Sequence, residues 1–485
     1  MARYDTEVLV VGAGAVGVAV ARELCRFRTR VLVADRLNDV GGDASKSNSA
    51  IVHTGFDAEP RTLESETVVH ANPLFDRLCR DLEIPFIRCG AILVATTEEE
   101  EEALPRIMQR AEQNQVFDVE YLTAQRARRL EPALTSARAG LLVPGESIVD
   151  PFLLVVAQAE NAAQNGVEFL TSCEIERIER SAQTFVVSST LGEIRARFVV
   201  NAAGLRGDVV SHMVGIEDFT VHPRRGQFHV IDRSAPLGIR HIILPVPTKL
   251  TKGTLLTPTV HGNWLIGPTA EEMEDRCAHE TTADGMEEIV RGAGRLVPGF
   301  DPRHVITQYA GLRAVRTPGG YHLRSFARVP GFIELSGIRS TGITASPVVA
   351  RRALAMLRAA GLETQPDEDF VATRTGIPAF RDLDDVERAA LIERDQRYGR
   401  IVCRCETVTE AEIVQAVQRT PGARDMDGVK RRVRAGLGRC QGGFCGSRVP
   451  RILSELLGVP LERVTRNGLG SELLAGPTRA PGDSP

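Results

Sequence analysis

The sequence predicts an α/β protein of more than one domain. Three observations carry this: a strand–glycine turn–helix–strand unit at the start, a central run of short β-rich segments, and four cysteines in two close pairs near the end. A chain of 485 residues exceeds one ordinary domain. A composition of 43% hydrophobic and 25% charged residues suits a globular protein with a sizeable core.

The opening unit reads element by element. Residues 7–11 are a short apolar, β-branched run bounded by glycine, the pattern of a buried parallel strand. Gly12–Ala13–Gly14–Ala15–Val16–Gly17 follows, then a helix expected over about 16–28, then a strand over 30–34 closed by Asp35. This is G-x-G-x-x-G in a βαβ setting, with an acid 23 positions after Gly12. Gly12 permits the tight turn, Gly14 lets the backbone approach a pyrophosphate, and Gly17 lets helix and strand pack closely. The helix N-terminus offers N–H groups and a positive dipole end, and Asp35 can accept from ribose hydroxyls. The pattern indicates a dinucleotide site. Gly292–Ala293–Gly294 and Gly436–Leu437–Gly438 lack the third glycine at the right offset, so the chain holds no second complete fingerprint for NAD.

Later segments favour FAD as the single tenant. Ser45–Lys46–Ser47–Asn48–Ser49 is a polar loop suited to phosphates, with Ser47, Asn48 and Ser49 the candidates. Short strands are expected over 168–170, 175–180 and 185–189, with a turn at Leu191–Gly192. A buried strand over 196–200 ends at Asn201–Ala202–Ala203–Gly204, where Ala203 and Gly204 let a cofactor pass close to the backbone. The segment 337–344 ends a strand and precedes an alanine-rich helix expected over 347–360. Its Gly342, Ile343 and Thr344 can present N–H groups to the flavin N1–C2=O edge, where negative charge develops on reduction.

Two segments differ in character. Residues 97–114 open on five glutamates and read as a solvated helix with acids in its first turn. Residues 224–268 read as several strands with turns, a β-rich substrate domain inserted between the nucleotide-binding segments. The expected organisation is a discontinuous FAD-binding domain over 1–80, 150–215 and 305–365. Residues 81–149 and 216–304 form the substrate domain, and 366–398 a linker with one short helix. A small, mainly helical metal domain over 399–472 and a disordered tail over 473–485 complete the chain.

Five of the nine cysteines are scattered, and the other four are Cys403-x-Cys405 and Cys440-x-x-x-x-Cys445, with 34 residues between the pairs. A secreted disulfide framework distributes cysteines otherwise, so a reducing cytosol is expected. Four thiolates in two pairs can hold zinc or a [2Fe–2S] cluster. A one-residue gap is tight for zinc, and Gly436, Gly438, Gly442, Gly443 and Gly446 let N–H groups approach cluster sulfides, which favours the cluster.

Net charge of −4 and 5% aromatic content give no global attraction to nucleic acid. No secretory signal precedes the first strand. The most apolar stretch, 8–21, carries three glycines and is too short to cross a bilayer, so any membrane contact is expected to be peripheral. The expected location is cytoplasmic, with peripheral contact at the inner face of the cell membrane allowed.

The chain resembles the FAD-dependent glycerol-3-phosphate dehydrogenases, in particular the flavoprotein subunit of the anaerobic type, within the D-amino-acid-oxidase-like superfamily. The residues that carry the resemblance are 8–17, Ser47–Asn48–Ser49–Ala50–Ile51–Val52–His53–Thr54–Gly55, 201–204, Pro258–Thr259–Val260–His261–Gly262–Asn263 and Gly342–Ile343–Thr344–Ala345–Ser346–Pro347. Residues 401–406 and 436–445 resemble the bacterioferritin-associated-ferredoxin-like domain, which implies a [2Fe–2S] cluster on Cys403, Cys405, Cys440 and Cys445. The superfamily also covers enzymes oxidising L-2-hydroxyglutarate, hydroxyproline and opines. The resemblance implies a dehydrogenase for a small anionic substrate, glycerol 3-phosphate first, with a partner redox subunit or quinone as acceptor. A non-catalytic electron-relay subunit is the alternative.

The substrate anion needs a cationic anchor, and a guanidinium suits it. Arg313 and Arg316 lie just upstream of the last flavin-binding strand, where the family places an arginine; Lys249, Lys252 and Arg324 are weaker candidates. His53 can face the flavin and assist proton removal, with His261 a further candidate.

Overall fold

The apolar run at 7–11 is the buried half of a longer strand, Ala2–Val11, in a computed structural model that describes residues 2–247 and 253–476. Val8–Val11 are sealed because strands flank both sides. Gly192–Asn201 pairs in parallel along the length, and Val31–Ala34 pairs in parallel with the last four residues. Continuous apolar sequence, rather than alternation, is what such a strand requires. The sheet runs Ile175–Ser181, Thr184–Ser189, Gly192–Asn201, Ala2–Val11, Val31–Ala34, Glu168–Leu170, with Val329–Ser336 in parallel beside Val199–Asn201. The helix after the glycine turn, Ala15–Leu24, ends about four residues before the expected position. Beyond it, Phe27 bridges to Pro366 and the Arg28 N–H donates to the Gln365 carbonyl, so the chain leaves the helical path to pair elsewhere.

A second, nine-stranded sheet is almost wholly antiparallel. It carries Ala91–Ala95, Glu120–Thr123, Ala139–Val143, Thr220–Ile231, Ile242–Pro245, Leu255–Pro258, Trp264–Gly267 and Glu271–Glu272. Its ninth strand, Val305–Thr317, was expected with the nucleotide-binding segments. It hydrogen-bonds along its length to Thr220–Ile231, while Leu312 and Ala314 are buried with Leu9, Val11 and Phe332 of the first sheet's core. The expected solvated helix is Glu98–Gln113, with Thr97 accepting from the Glu100 N–H and four glutamates in the first turn.

The chain divides into two units, residues 1–36 with 41–374, and residues 37–40 with 375 onward. The stretch 366–398 is therefore not a linker. Arg374 is buried and donates to Glu160 (2.5 Å) in the first unit. From Thr375 on, the chain packs in the second unit, where Phe380 stacks on Tyr398 and the Phe380 N–H donates to buried Glu412. The expected short helix is Asp385–Arg394. The second unit also takes Asp39, whose buried carboxylate sits between Arg431 (2.6 Å) and Arg432 (2.7 and 2.8 Å). Those guanidiniums outweigh the burial and hold it below the usual carboxylate range. Among the described residues no helix is long and apolar enough to cross a membrane.

Candidate flavin site and cysteine centre

The three fingerprint glycines answer different demands. Gly12 has φ +105°, and a Cβ there would lie 2.5 Å from the Ala202 carbonyl oxygen. At Gly17 a Cβ would overlap the Gly12 carbonyl. Gly14 stands at the helix N-cap with an ordinary φ of −74°, and a Cβ would meet only the Ser45 hydroxyl at 3.2 Å. The protein itself thus excludes a side chain at Gly12 and Gly17, while the space at Gly14 is left for something else. Beside it, the uncapped first turn of an α-helix presents N–H groups. Ala15 N–H is held by Ser45 Oγ (2.9 Å), and Ala13 N–H by Asp35 Oδ2 (2.6 Å). Asp35 therefore ties the glycine turn to the end of the second strand. This cradle fits a dinucleotide pyrophosphate.

The other expected cofactor residues gather round it. Ala203 and Gly204 follow the Gly192–Asn201 strand directly at the Gly12 turn, held there by Asn201, which donates to Gly207 O and Ser211 Oγ. In the polar loop, Asn48 donates to Ser45 O (2.8 Å) and accepts from Ala50 N–H (2.8 Å), closing the loop on itself. Ser47 lies against Gly311, where a Cβ would overlap the Ser47 carbonyl, and Tyr309 donates to Asn48 O (2.8 Å). Ser49 is partly exposed. Gly342, Ile343 and Thr344 are not a loop before the helix but its first turn. The helix is Gly342–Ala359, begun five residues ahead of Pro347. Proline leaves the carbonyl four residues back without its N–H, and Ser346 Oγ donates to that Ile343 carbonyl instead (3.0 Å).

His53 joins this turn. Its backbone N–H donates to Thr344 Oγ1 (3.0 Å), and its Nδ1 lies 3.0 Å from Glu146 Oε2. Glu146 is fully buried, and its other oxygen accepts from Thr54 N–H (2.6 Å) and Thr54 Oγ1 (2.9 Å). A carboxylate on Nδ1 selects the tautomer with the proton on that nitrogen and leaves Nε2 as an acceptor, the arrangement of an oriented general base. The sequence reading missed Glu146, and Ser45 was read only as part of its loop.

Arg313 shares a face of the Val305–Thr317 strand with Tyr309 and Gly311, by the two-residue period, so it stands on the side against which Ser47 and Asn48 pack. It donates to the carbonyls of Thr269 (2.6 Å) and Arg225 (3.2 Å) and, among the described residues, meets no carboxylate. Burial, then the charges of Arg224 and Arg339, push its pKa down to about 10, so it remains a cation at neutral pH. Arg316 is on the opposite face. Buried, it lies 4.4 Å over the Phe219 ring, near Glu334, and donates to Pro318 O, a core cation rather than an anchor. Arg324 pairs with Asp218 and Glu334. His261 lies 2.7 Å from Asp150, which caps the Pro151–Gln164 helix. Lys249 and Lys252 lie outside the described residues, as do positions 477–485 of the expected tail.

In the second unit the four thiols meet as two facing pairs, Cys403 with Cys445 and Cys405 with Cys440. Each pair takes one member from each motif. Cys403 and Cys445 are buried, Cys405 is partly exposed and Cys440 exposed. A [2Fe–2S] cluster asks for two thiolates at each iron, whereas a zinc site asks for three or four donors around one point. The Cys445 thiol and the N–H groups of Gly436, Glu406 and Cys405 point at the Cys403 sulfur and push its pKa down to about 6. At Gly438 a Cβ would overlap Cys405, which explains a glycine there. The residues present fit a [2Fe–2S] cluster.

Residues 7–357 match the family model described as FAD dependent oxidoreductase. The chain belongs to the FAD-dependent oxidoreductase family. Residues 401–455 of this oxidoreductase match the BFD-like [2Fe-2S] binding domain, so its cofactors are FAD and a [2Fe–2S] cluster. It is 38% identical to a glycerol 3-phosphate dehydrogenase of Caloramator mitchellensis, over 98% of this chain and 99% of the relative. It is 25% identical to one subunit of the anaerobic glycerol-3-phosphate dehydrogenase of Escherichia coli, over 93% of this chain and 88% of that subunit. The FAD-bound, dithionite-reduced L-alpha-glycerophosphate oxidase of Mycoplasma pneumoniae superposes with a TM-score of 0.73 at 27% identity, covering 76% of this chain and 98% of that one.

Proposed function

We propose that this oxidoreductase converts glycerol 3-phosphate to dihydroxyacetone phosphate and passes the electrons through FAD and the [2Fe–2S] cluster to a partner subunit or a quinone. The observation that carries the substrate class is Arg313, a largely buried guanidinium with no carboxylate among the described residues, on the strand face that meets the Ser47–Asn48 loop. The full-length likeness to a glycerol 3-phosphate dehydrogenase supports the particular substrate.

In this reading Gly12, Gly14, Gly17, Asp35, Ser45, Ser47, Asn48, Ser49, Ala203, Gly204 and the turn Gly342–Ile343–Thr344 hold FAD. Cys403, Cys405, Cys440 and Cys445 hold the cluster. Bound FAD supplies the acceptor for the hydride on C2. Arg313 binds the phosphate and fixes the distance from that anion to C2. His53 Nε2 takes the proton of the C2 hydroxyl as the carbonyl forms, and Glu146 keeps the Nδ1 proton in place and stabilises the imidazolium. The five cysteines outside the cluster motifs, none in a disulfide, support a reducing cytosol as the setting, with membrane contact made peripherally.

The test is anaerobic mixing of the isolated chain with glycerol 3-phosphate, L-2-hydroxyglutarate, hydroxyproline and an opine while flavin absorbance is followed. Bleaching by glycerol 3-phosphate is expected. Bleaching only by another member of the panel overturns the substrate, and bleaching only once a second subunit is present overturns the catalytic reading in favour of a relay.

A further inference from the structure

The cysteine centre is asymmetric toward solvent, and the rim on its open side is charged. Cys403 and Cys445 are buried, whereas Cys440 is exposed and Cys405 partly so. Arg404, Arg439, Phe444 and Arg448, chain neighbours of the four cysteines, are all exposed. The guanidinium of Arg404 lies 4.2 Å from the Phe444 ring centroid and that of Arg448 6.0 Å from it, so one exposed aromatic ring, next to Cys445 in the chain, gathers two cations. Neither Arg404 nor Arg448 meets a carboxylate among the described residues. Other arginines of the same unit sit in ion pairs, such as Arg397–Asp395 and Arg400–Glu410. The local sequence repeats the bias: from Arg434 to Arg451 there are four arginines and no Asp or Glu, in a chain of net charge −4. Glu406, next to Cys405 in the chain, is buried and already neutralised by Arg381 (2.6 Å) and Arg434 (2.8 Å).

We propose that this rim is the docking surface for a one-electron carrier protein with a carboxylate-rich face, and that electrons leave by the iron held on Cys405 and Cys440. The occupant must accept electrons, because the surface is centred on exposed cluster ligands; a lipid headgroup does not. An acidic protein face answers the charges of Arg404 and Arg448 together, at two points a single quinone ring does not span with opposite charge. Opposed charge at the rim speeds encounter and orients it, while the Phe444 ring gives the contact an apolar centre. Each docking event returns one cluster iron from iron(II) to iron(III) and reduces the carrier's centre by one electron. Two events discharge the pair taken from one substrate molecule, and no proton crosses the interface.

The inference rests on the cluster and not on the substrate. The test therefore uses the full holoprotein reduced with dithionite and freed of excess reagent anaerobically. The probes are native cytochrome c, whose surface is lysine-rich, and the same protein with its lysines succinylated, which carries the same haem behind an acidic surface. Stopped-flow haem reduction is expected to be faster with the succinylated form, with the preference shrinking as ionic strength rises to about 0.15 M and beyond. The double variant Arg404→Glu with Arg448→Glu is expected to lower the ratio of the two rates by roughly tenfold or more, and Arg404→Gln with Arg448→Gln to fall between. Iron content and the cluster's visible spectrum report whether each variant keeps its centre; if the Glu pair loses it, the Gln pair and the salt series decide. Equal rates with both cytochromes, a preference for the native form, or a ratio unmoved by the variants overturns the proposal. So does a result in which the variants abolish binding to anionic lipid vesicles while the ratio stands.

Discussion

Gly14→Ala separates the cofactor's need for glycine from the protein's. At Gly12 and Gly17 a methyl group runs into backbone, and at Gly12 the positive φ adds strain. At Gly14 the backbone is ordinary and, among the described residues, a Cβ would meet only the Ser45 hydroxyl at 3.2 Å, a contact that a shift of a few tenths of an ångström relieves with the bond to Ala15 N–H kept. Alanine for glycine at a helix N-cap costs up to about 1 kcal/mol, and the lost freedom of the unfolded chain returns about 0.4–1 kcal/mol, so the apoprotein should melt within a few degrees of wild type. The cofactor meets a different balance. A methyl group at this turn pushes the pyrophosphate off N–H donors of the first helical turn. Losing one or two charge-assisted hydrogen bonds at about 1.5–3 kcal/mol each weakens FAD binding by roughly 10- to 10⁴-fold. Flavin-to-protein absorbance after desalting, followed by fluorescence titration of apoprotein with FAD, reads this directly. Gly14→Ala protein that keeps one FAD per chain at wild-type affinity would refute the reasoning. So would Gly14→Ala protein that fails to fold, because the fold itself would then need the glycine.

Arg313→Ala should lower kcat/KM for glycerol 3-phosphate by roughly 10- to 150-fold with FAD and iron content unchanged; an unchanged KM and kcat would remove Arg313 from the substrate site. Arg316→Ala should do the opposite, lowering the melting temperature by emptying the space over the Phe219 ring and removing one of the two cations near buried Glu334, at about 1–3 kcal/mol, while leaving KM alone. Glu146→Gln should retain flavin but slow its anaerobic reduction by roughly 10²-fold, since the amide no longer holds His53 in the basic tautomer; reduction at the wild-type rate would show that His53 needs no orienting carboxylate. Burial raises the Glu412 carboxyl from 4.5 to about 7. Between those values the folded form holds a proton that the unfolded chain has lost, so stability of the second unit should fall as pH rises through that window, by up to about 3 kcal/mol. Urea unfolding across the window should show the decline, and Glu412→Gln should flatten it.

The sequence made legible those parts of the site whose chemistry is local. Glycine turns, the small residues at 201–204 and the two cysteine motifs each constrain backbone within a few positions, so they read directly. Glu146 did not, because it meets His53 across 93 residues, and nothing in Pro144–Gly145–Glu146 distinguishes it from a surface turn. Asp39 was hidden for the same reason: its partners stand 392 and 393 residues away in the cluster-bearing unit. The helix before Pro347 was missed because proline usually marks a first turn, and only Ser346 bonding back to Ile343 allows one further in. The stretch 366–398 looked like a linker since its polar composition conceals two aromatic anchors, Phe380 and Tyr398.

Arg313 and Arg316 show where pattern would have sufficed. Both were candidate anchors on the strength of position and of the arginine that the resembling family carries in that segment. Once 305–317 is a strand, its two-residue period puts 309, 311 and 313 on one face and 312, 314 and 316 on the other. The second face carries Leu312 and Ala314, which are core residues, so Arg316 had to be buried among them and needed its charge answered there. Glu334 and the Phe219 ring answer it. The first face carries a glycine against the polar loop and a tyrosine bonded to it, and Arg313 there is left with carbonyls alone. A half-buried guanidinium that bonds only carbonyls among the described residues has donors suited to an anion brought by a substrate. Charge on that face without a carboxylate among the described residues, rather than nearness to the flavin strand, is what supports Arg313 as the proposed anchor.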